Sequence, residues 1–405
     1  MNDTAQPDQG APHLDREPPT GPLAGLRIVE LGSIIAGPLA GRMLADLGAE
    51  VIKVESPAKP DPMRQWGQGT HNGRKAWWPV IARNKRLVTL DLASERGAEE
   101  LLRLVADSDA VIENFRPGTL EKWDLGFERL NSARPGLILV RVSGYGQTGP
   151  YADRPGFAAA AEAMSGLRFV NGYPGEIPPR MGISLGDSLA SLFAVQGLLA
   201  AVYRRSADPE AAREGEVVDV SILEACLALT ESIVPEYDLM GRVRGPSGAR
   251  LEGIAPSNVF RSRDQRMVVI AANQDTLFTR LCTAMGRPEL ASDPRFRTHE
   301  DRGANQELIE AEIQAWAGEH DAAEIDDLLA AAGVVCGPVA SVADVVDNPQ
   351  LQARDALVEQ HDEELGSFRA PGIVPRFSRG SGEVRWSGRW EPGADNDRLL
   401  AREIA

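Results

Sequence analysis

Arg27-Ile-Val-Glu-Leu-Gly-Ser-Ile-Ile-Ala-Gly-Pro-Leu-Ala-Gly-Arg-Met-Leu-Ala-Asp-Leu-Gly-Ala-Glu-Val-Ile-Lys-Val54 is the stretch on which the fold turns. Residues 27–31 form a short apolar run that predicts a strand. Residues 38–47 predict a helix with Pro38 in its first turn, where a missing amide proton costs nothing. Gly48 ends that helix, and residues 50–54 predict the next strand. Outward from there, strands are expected at 87–92, 110–113 and 137–142, with a helix starting near Ser94. Strands separated by helices of this length define βαβ units and a parallel, doubly wound sheet.

Residues 187–205 predict a helix that is apolar around most of its circumference and therefore largely buried. A strand at 217–220 and a helix at 222–231 follow. The Gly- and Arg-rich stretch 242–250 predicts a linker. A second α/β unit opens with a strand at 267–272 and continues with helices near 274–285, 304–316 and 321–332. Short strands and loops are expected from 340 onward, including 382–390, and there is no internal repeat. The expected division is a tail at 1–20, a large domain at 21–240, a small α/β domain at 241–335, and a C-terminal segment at 336–405 returning to the large domain.

The chain has 405 residues, 43 Lys+Arg against 59 Asp+Glu, and a formal charge of −16. With 43% hydrophobic and 25% charged residues it has the composition of a soluble globular protein. The acidic field argues against nucleic acid and anionic membranes as partners. It leaves room for a small anion in a locally basic pocket. Three dispersed cysteines, no CxxC pair and five scattered histidines predict neither a disulfide framework nor a metal site. The first twenty residues, polar and Pro-rich, predict a disordered tail and not a signal peptide. No apolar run is read as reaching the roughly 18 residues of a membrane span, and a cytoplasmic location is expected.

Gly144-Tyr-Gly-Gln-Thr-Gly149 matches GxGxxG after a strand, the one feature that would favour an NAD-dependent oxidoreductase. Pro150 and Pro155 follow where a helix must begin, so a loop is the better reading. Asn114, Phe115 and Arg116 lie at the carboxyl end of a strand. They read either as a solvated basic turn or as an amide, a stacking face and a cation for an adenine nucleotide. Asp187, after Gly186, reads as a helix N-cap or as a carboxylate nucleophile held at a helix start. His361-Asp-Glu-Glu364 reads as a solvated loop.

Taken together, several stretches resemble the class III coenzyme A transferases, which include formyl-CoA transferase and carnitine-CoA transferase. They are Pro22 to Leu31 with Ala36-Gly-Pro38, Leu44 to Glu55, Asn84-Lys-Arg86, Glu113-Asn-Phe115, Gly144-Tyr-Gly146, Gly186-Asp187, Gly215 to Ser221 and Cys336-Gly-Pro338. The resemblance spans about residues 21–378. It implies a Rossmann-like large domain, a smaller α/β domain and an interlocked homodimer. It also implies that Asp187 attacks an acyl-CoA thioester through anhydride and aspartyl-CoA thioester intermediates, with CoA and acyl-CoA as substrates and no tightly bound cofactor.

By the same resemblance, Ile34, Leu90, Asn114, Phe115 and Lys122 contact CoA, and Ile35, Tyr145, Arg180 and Gly186 lie on the substrate side. A distal carboxylate needs a cation, and Arg180 or Arg42 is expected to provide it. Ser56 and Ile35 replace an arginine and a glutamine of formyl-CoA transferase, and its glycine loop has no counterpart before Met267, which argues against oxalate and formate. Phe157 stands where α-methylacyl-CoA racemases place a histidine base, and Ala158 where many relatives have an acid. Residues 146–150, 182–187 and 252–258 look most like the branch that uses succinyl-CoA and C4–C6 dicarboxylates. A non-catalytic CoA-binding protein remains the alternative of a different class.

Overall fold

The structure, a computed structural model, describes residues 20–400. The expected tail lies, up to residue 19, outside the described residues. The described residues form two compact units: one of residues 20–167, 181–231 and 353–400, the other of 168–180 and 232–352.

The first unit is built on six strands: β1 (Arg27–Glu30), β2 (Glu50–Glu55), β3 (Lys85–Thr89), β4 (Ala110–Glu113), β5 (Ile138–Ser143) and β6 (Glu216–Ser221). Their spatial order is β3-β2-β1-β4-β5-β6, with every pairing parallel. This is a Rossmann-type order, in which the winding reverses between β1 and β4. Alternate residues of each strand serve opposite faces. Ile28, Val51, Ile112 and Val140 meet the helices Ala36–Asp46 and Leu185–Ala207. Val29, Ile52, Val111 and Leu139 meet the helix Glu95–Ala106. Burial on both faces explains why the strands read as nearly unbroken apolar runs.

Local chemistry sets the helix ends. The Ser94 side chain accepts the Gly97 amide at 3.1 Å. Gly48, at φ +100°, takes the left-handed turn that ends Ala36–Asp46 and leads into β2. The C-terminal segment is fastened to the same unit: Asp395 accepts the Leu87 amide at 2.8 Å, and the Arg64 guanidinium donates to the Trp390 carbonyl at 2.5 Å.

The second unit holds the antiparallel sheet β7 (Ser257–Arg261), β8 (Met267–Ala271) and β9 (Val335–Pro338), in the order β7-β8-β9. The helices Asp275–Ala284, Gln306–Ala317 and Ala322–Ala331 close its core around Phe260, Phe278, Ile313 and Leu329.

Several expectations are corrected. The β8–β9 pairing keeps residues 335–338 in the second unit, so the boundary falls after 352 and not after 335. The earlier boundary falls after 231, and residues 168–180 also belong to the second unit. The strand expected at 87–92 runs Lys85–Thr89, the span that pairs with β2, and the two buried charged residues at its start break the apolar run by which it was read. The helix expected at 222–231 ends at Leu227.

Leu185–Ala207 begins two residues before Asp187, and Leu192 and Tyr203 leave one of its sides exposed. By length and composition alone this helix would cross a membrane, with mean hydropathy 1.6, contrary to the expectation that no run is long enough. It packs against β5, β6 and Ala36–Asp46 as a cover of the parallel sheet. His361 and Asp362 end β10 (Leu357–Asp362), which pairs with β11 (Gly366–Pro371). Asp362 is buried, accepting the Trp390 indole N–H and the Ser387 hydroxyl, and is no solvated loop residue.

Candidate active site

Open parallel sheets place ligands beyond the carboxyl ends of their strands, at the point where the strand order reverses. Beside the reversal point between β1 and β4, a cleft of about 460 Å³ lies over the carboxyl ends of β1, β2 and β3 and is walled by the segment after β4. The turn after β1 contributes Gly32 and Ser33, the loop after β2 contributes Ser56, Lys59 and Asp61, and Leu90, Phe115 and Trp123 supply apolar wall. Phe115 and Trp123 meet edge to face with ring centroids 5.3 Å apart.

Asn114 joins the two sides of the reversal point. Its Oδ1 accepts the Ser33 amide at 2.8 Å, and its Nδ2 donates to the Ser33 carbonyl at 2.9 Å. Glu113 beside it is fully buried, accepting from the Phe115 amide and from Arg141. Burial pushes its carboxyl up to about 6 against the pull of Arg141.

The floor of the cleft is ionic. Lys53 Nζ lies 3.0 Å from Glu30 Oε1, 2.9 Å from Asp61 Oδ2 and 2.7 Å from the Gly32 carbonyl. Lys85 Nζ lies 2.6 Å from Glu30 Oε2 and 2.7 Å from the Pro38 carbonyl. Burial alone would lower Lys53, but Glu30, Asp61 and Glu55 outweigh it and raise the amine above its ordinary range. For Lys85, burial dominates and lowers it to about 8. Asp61 is held below its ordinary value: burial opposes this, but Lys53 and the amides of Met63 and Ile34 prevail.

The sequence reading missed this network and the cation Lys59. A signal existed. Glu30 and Lys53 sit in adjacent strands expected to be covered on both faces, where a charge persists only if paired, and they are register partners.

Asp187 lies in the first helical turn, not at the cap, which is Ser184 and makes no side-chain cap bond. The capping function is met from elsewhere: the buried Glu162 of the helix Ala158–Met164 accepts the Gly186 amide at 3.0 Å. A Cβ at residue 186 would stand 3.1 Å from Ala158 Cβ, 3.2 Å from Glu162 Cγ and 3.3 Å from Cys226 Sγ. Glycine therefore lets the helix start approach these neighbours. Burial, with the negative charges of Glu162 and Asp187, pushes the Cys226 thiol up to about 11, so it stays protonated. Asp187 itself is half-buried. Ser191 Oγ lies 2.7 Å from the carbonyl oxygens of both Ala36 and Asp187, joining the starts of two helices.

Of the residues expected to contact CoA, Leu90 and Phe115 line the cleft, Asn114 brackets it and Ile34 sits in its turn. Lys122 is exposed one residue before Trp123 and is not part of the lining. Ile35 is buried at the start of Ala36–Asp46, and Tyr145 packs against Gly156 and Tyr151. Phe157 is exposed at the cap of Ala158–Met164. Arg42 is largely buried 3.7 Å from Asp46. Arg180 is exposed and belongs to the second unit. In the loop at 144–149, Ser143 Oγ takes the Gly146 amide and Asp219 takes the Gln147 amide, and the next helix starts only at Ala158. Those amides are engaged within the protein, as a loop reading requires.

The family model of CoA-transferase family III matches residues 23–396, and the chain belongs to that family. Among relatives, it is 47% identical over 375 residues to the succinyl-CoA–D-citramalate CoA-transferase of Chloroflexus aurantiacus, covering 93% of this chain and 92% of that one. It is 40% identical to a succinyl-CoA–L-malate CoA-transferase alpha subunit of the same organism, over 90% of this chain and 84% of that one. The solved structure of a CAIB/BAIF family protein from Brucella suis superposes with TM-score 0.82 at 32% identity, over 94% of this chain and 99% of that one. Rv3272 from Mycobacterium tuberculosis gives 0.81 at 30%, over 95% and 100%. The chain is thus a class III CoA-transferase, and CoA thioesters are its substrate class.

Proposed function

We propose that the protein moves CoA from succinyl-CoA to a C4–C6 dicarboxylate, with Asp187 as the covalent nucleophile. The observation that carries the reading is the half-buried carboxylate in the first turn of a 23-residue helix, on a glycine whose amide is fixed by Glu162. The partial positive charge of a helix start favours an anion there. The relatives that act on citramalate and malate with succinyl-CoA support the choice of substrates.

Asp187 attacks the thioester carbonyl and CoA leaves as thiolate, giving a mixed succinyl-aspartyl anhydride. The thiolate attacks the aspartyl carbonyl of that anhydride, releasing succinate and leaving an aspartyl-CoA thioester. The acceptor carboxylate then attacks this thioester, expelling the thiolate and forming a second anhydride. The thiolate takes the acceptor's acyl group and frees the Asp187 carboxylate. Each step conserves the energy of the thioester in a covalent bond, provided water is kept from the intermediates.

This cleft is assigned to CoA, with Leu90, Phe115 and Ile34 as apolar contacts, Lys59 as the lining cation for its phosphates, and Lys122, exposed outside the lining, as a second cation for the same phosphates. A homodimer belongs to the same proposal. Phe157, Met164, Met181, Ile183, Leu192 and Leu227 expose large apolar surfaces in the sequence around Asp187, as expected of a face covered by a second copy. A cytoplasmic location goes with it.

The test is mass-spectrometric CoA exchange from succinyl-CoA onto a panel of mono- and dicarboxylates. New dicarboxyl-CoA species that vanish with Asp187→Ala are expected. Transfer that survives the substitution would overturn the assignment of the nucleophile.

A further inference from the structure

Ile34 adopts φ +70°. A β-branched side chain rarely enters this left-handed region, because its Cβ crowds the backbone. Such a conformation costs about 1–3 kcal/mol and lasts only where its surroundings impose it. Here the restraints can be named. Asp61 Oδ1 accepts the Ile34 amide at 3.2 Å and the Met63 amide at 3.0 Å. Lys53, held 2.9 Å from the other Asp61 oxygen, donates to the Gly32 carbonyl at 2.7 Å. Asn114 holds Ser33 by both its amide and its carbonyl. The strained residue therefore lies in a turn fastened on three sides. That turn edges the cleft on one side and, through Ala36 and Ser191, reaches the backbone of Asp187 on the other.

We propose that Asp61 is a positioning residue: it holds the Ser33–Ile34 turn in its strained form, and that form is the one competent to bind coenzyme A. The inference rests on assigning the β1–β4 cleft to CoA. Asp61 acts through the hydrogen bond it accepts from Ile34 and through the lysine it anchors, without touching the reacting atoms. Its effect should depend on the strain. With glycine at 34 the left-handed conformation is nearly free, so the restraint becomes dispensable.

The experiment is a double-mutant cycle in the full chain, Asp61→Ala against Ile34→Gly, with two readouts: hydrogen exchange of the peptide covering 32–36 without ligand, and calorimetric binding of free CoA. Asp61→Ala should speed exchange at the turn about tenfold and weaken CoA binding about tenfold, the order of the strain it restrains. In the Ile34→Gly background both effects should shrink to about twofold or less. Equal losses in the two backgrounds would overturn the proposal, as would unchanged exchange in Asp61→Ala. If native protein shows no CoA binding, the cleft assignment has failed, and exchange alone still decides whether Asp61 holds the turn. Should Asp61→Ala not fold, Asp61→Asn replaces it. That variant keeps the acceptor but frees Lys53, so it should give a smaller acceleration, abolished by Ile34→Gly. Acceleration that persists with glycine at 34 would overturn the inference.

Discussion

The turn after β1 and the turn that leads into Leu185–Ala207 are built in opposite ways. The turn after β1 is held by buried charge: Lys53, Lys85, Glu30 and Asp61 form a closed set beneath it, with short ion-pair distances and almost no exposure. The turn that delivers Asp187 has no such set. It is held by close contact at Gly186, by one carboxylate bond from Glu162, and by the Ser191 hydroxyl. A charge network fixes a shape stiffly, because removing one member strands the others. A contact-held turn leaves its carboxylate half-buried and able to form and break a bond. The proposed CoA cleft and the proposed nucleophile place different demands on the chain, and on that proposal the two turns meet them separately.

The largest effect should come from the contact-held turn. Asp187→Ala is expected to lower CoA transfer at least about 10⁴-fold, measured as acceptor-CoA formation, while the melting temperature stays within about 2 °C of native. A large loss of stability would show that Asp187 is a structural cap after all. The charge-held turn should behave the other way. Lys53→Met leaves Glu30 and Asp61 facing each other without their shared cation, and should cost about 3–5 kcal/mol in urea unfolding. A cost under about 1 kcal/mol would mean that the network is no stiffer than a surface ion pair.

Gly186→Ala sharpens the contrast. An added methyl meets three neighbours at 3.1–3.3 Å, so kcat should fall about 100-fold with a stability loss of about 1–3 kcal/mol. Native activity would remove close contact as the reason for glycine.

The smallest expected effect lies between the turns, at Glu113. Its carboxyl titrates at about 6 when folded and near 4.5 otherwise. The folded chain therefore holds that proton more tightly, and the stability it contributes is complete below pH 4.5 and lost as pH rises through 6. The loss is about 2 kcal/mol. Unfolding measured from pH 4.5 to 7 should show this slope in native protein and lack it in Glu113→Gln. Identical slopes would break the assignment.

Much of this was legible in the amino-acid order. Six strands and the three long helices between them, Ala36–Asp46, Glu95–Ala106 and Leu185–Ala207, follow from apolar runs between Gly and Pro punctuation, with shifted ends as at Lys85–Thr89. The short helices Trp77–Ile81, Phe127–Ala133 and Ala158–Met164 were not read. Gly186-Asp187 was legible as a pair, but its place in the helix was not. Aspartate after glycine reads as an N-cap, and nothing local reveals that Glu162, 24 residues earlier, takes the amide. Lys53 was passed over because a single lysine in an apolar run looks incidental until its partners are known. Leu90 and Phe115 were placed by resemblance, and Lys59 was not found because a charge in a Pro-rich loop carries no periodic signal.

By itself the sequence determined the alternation of strand and helix and the family, and it singled out Asp187 as the proposed nucleophile. These depend on side-chain periodicity and on short motifs, both local along the chain. Only the tertiary structure decided that Glu30, Lys53, Asp61 and Lys85 are one charged group, that Ile34 is forced into a left-handed turn above it, and that Ser191 links that turn's helix to Asp187. Hydrogen bonds and ion pairs act over about 3 Å of space, and separation along the chain does not report which groups come that close.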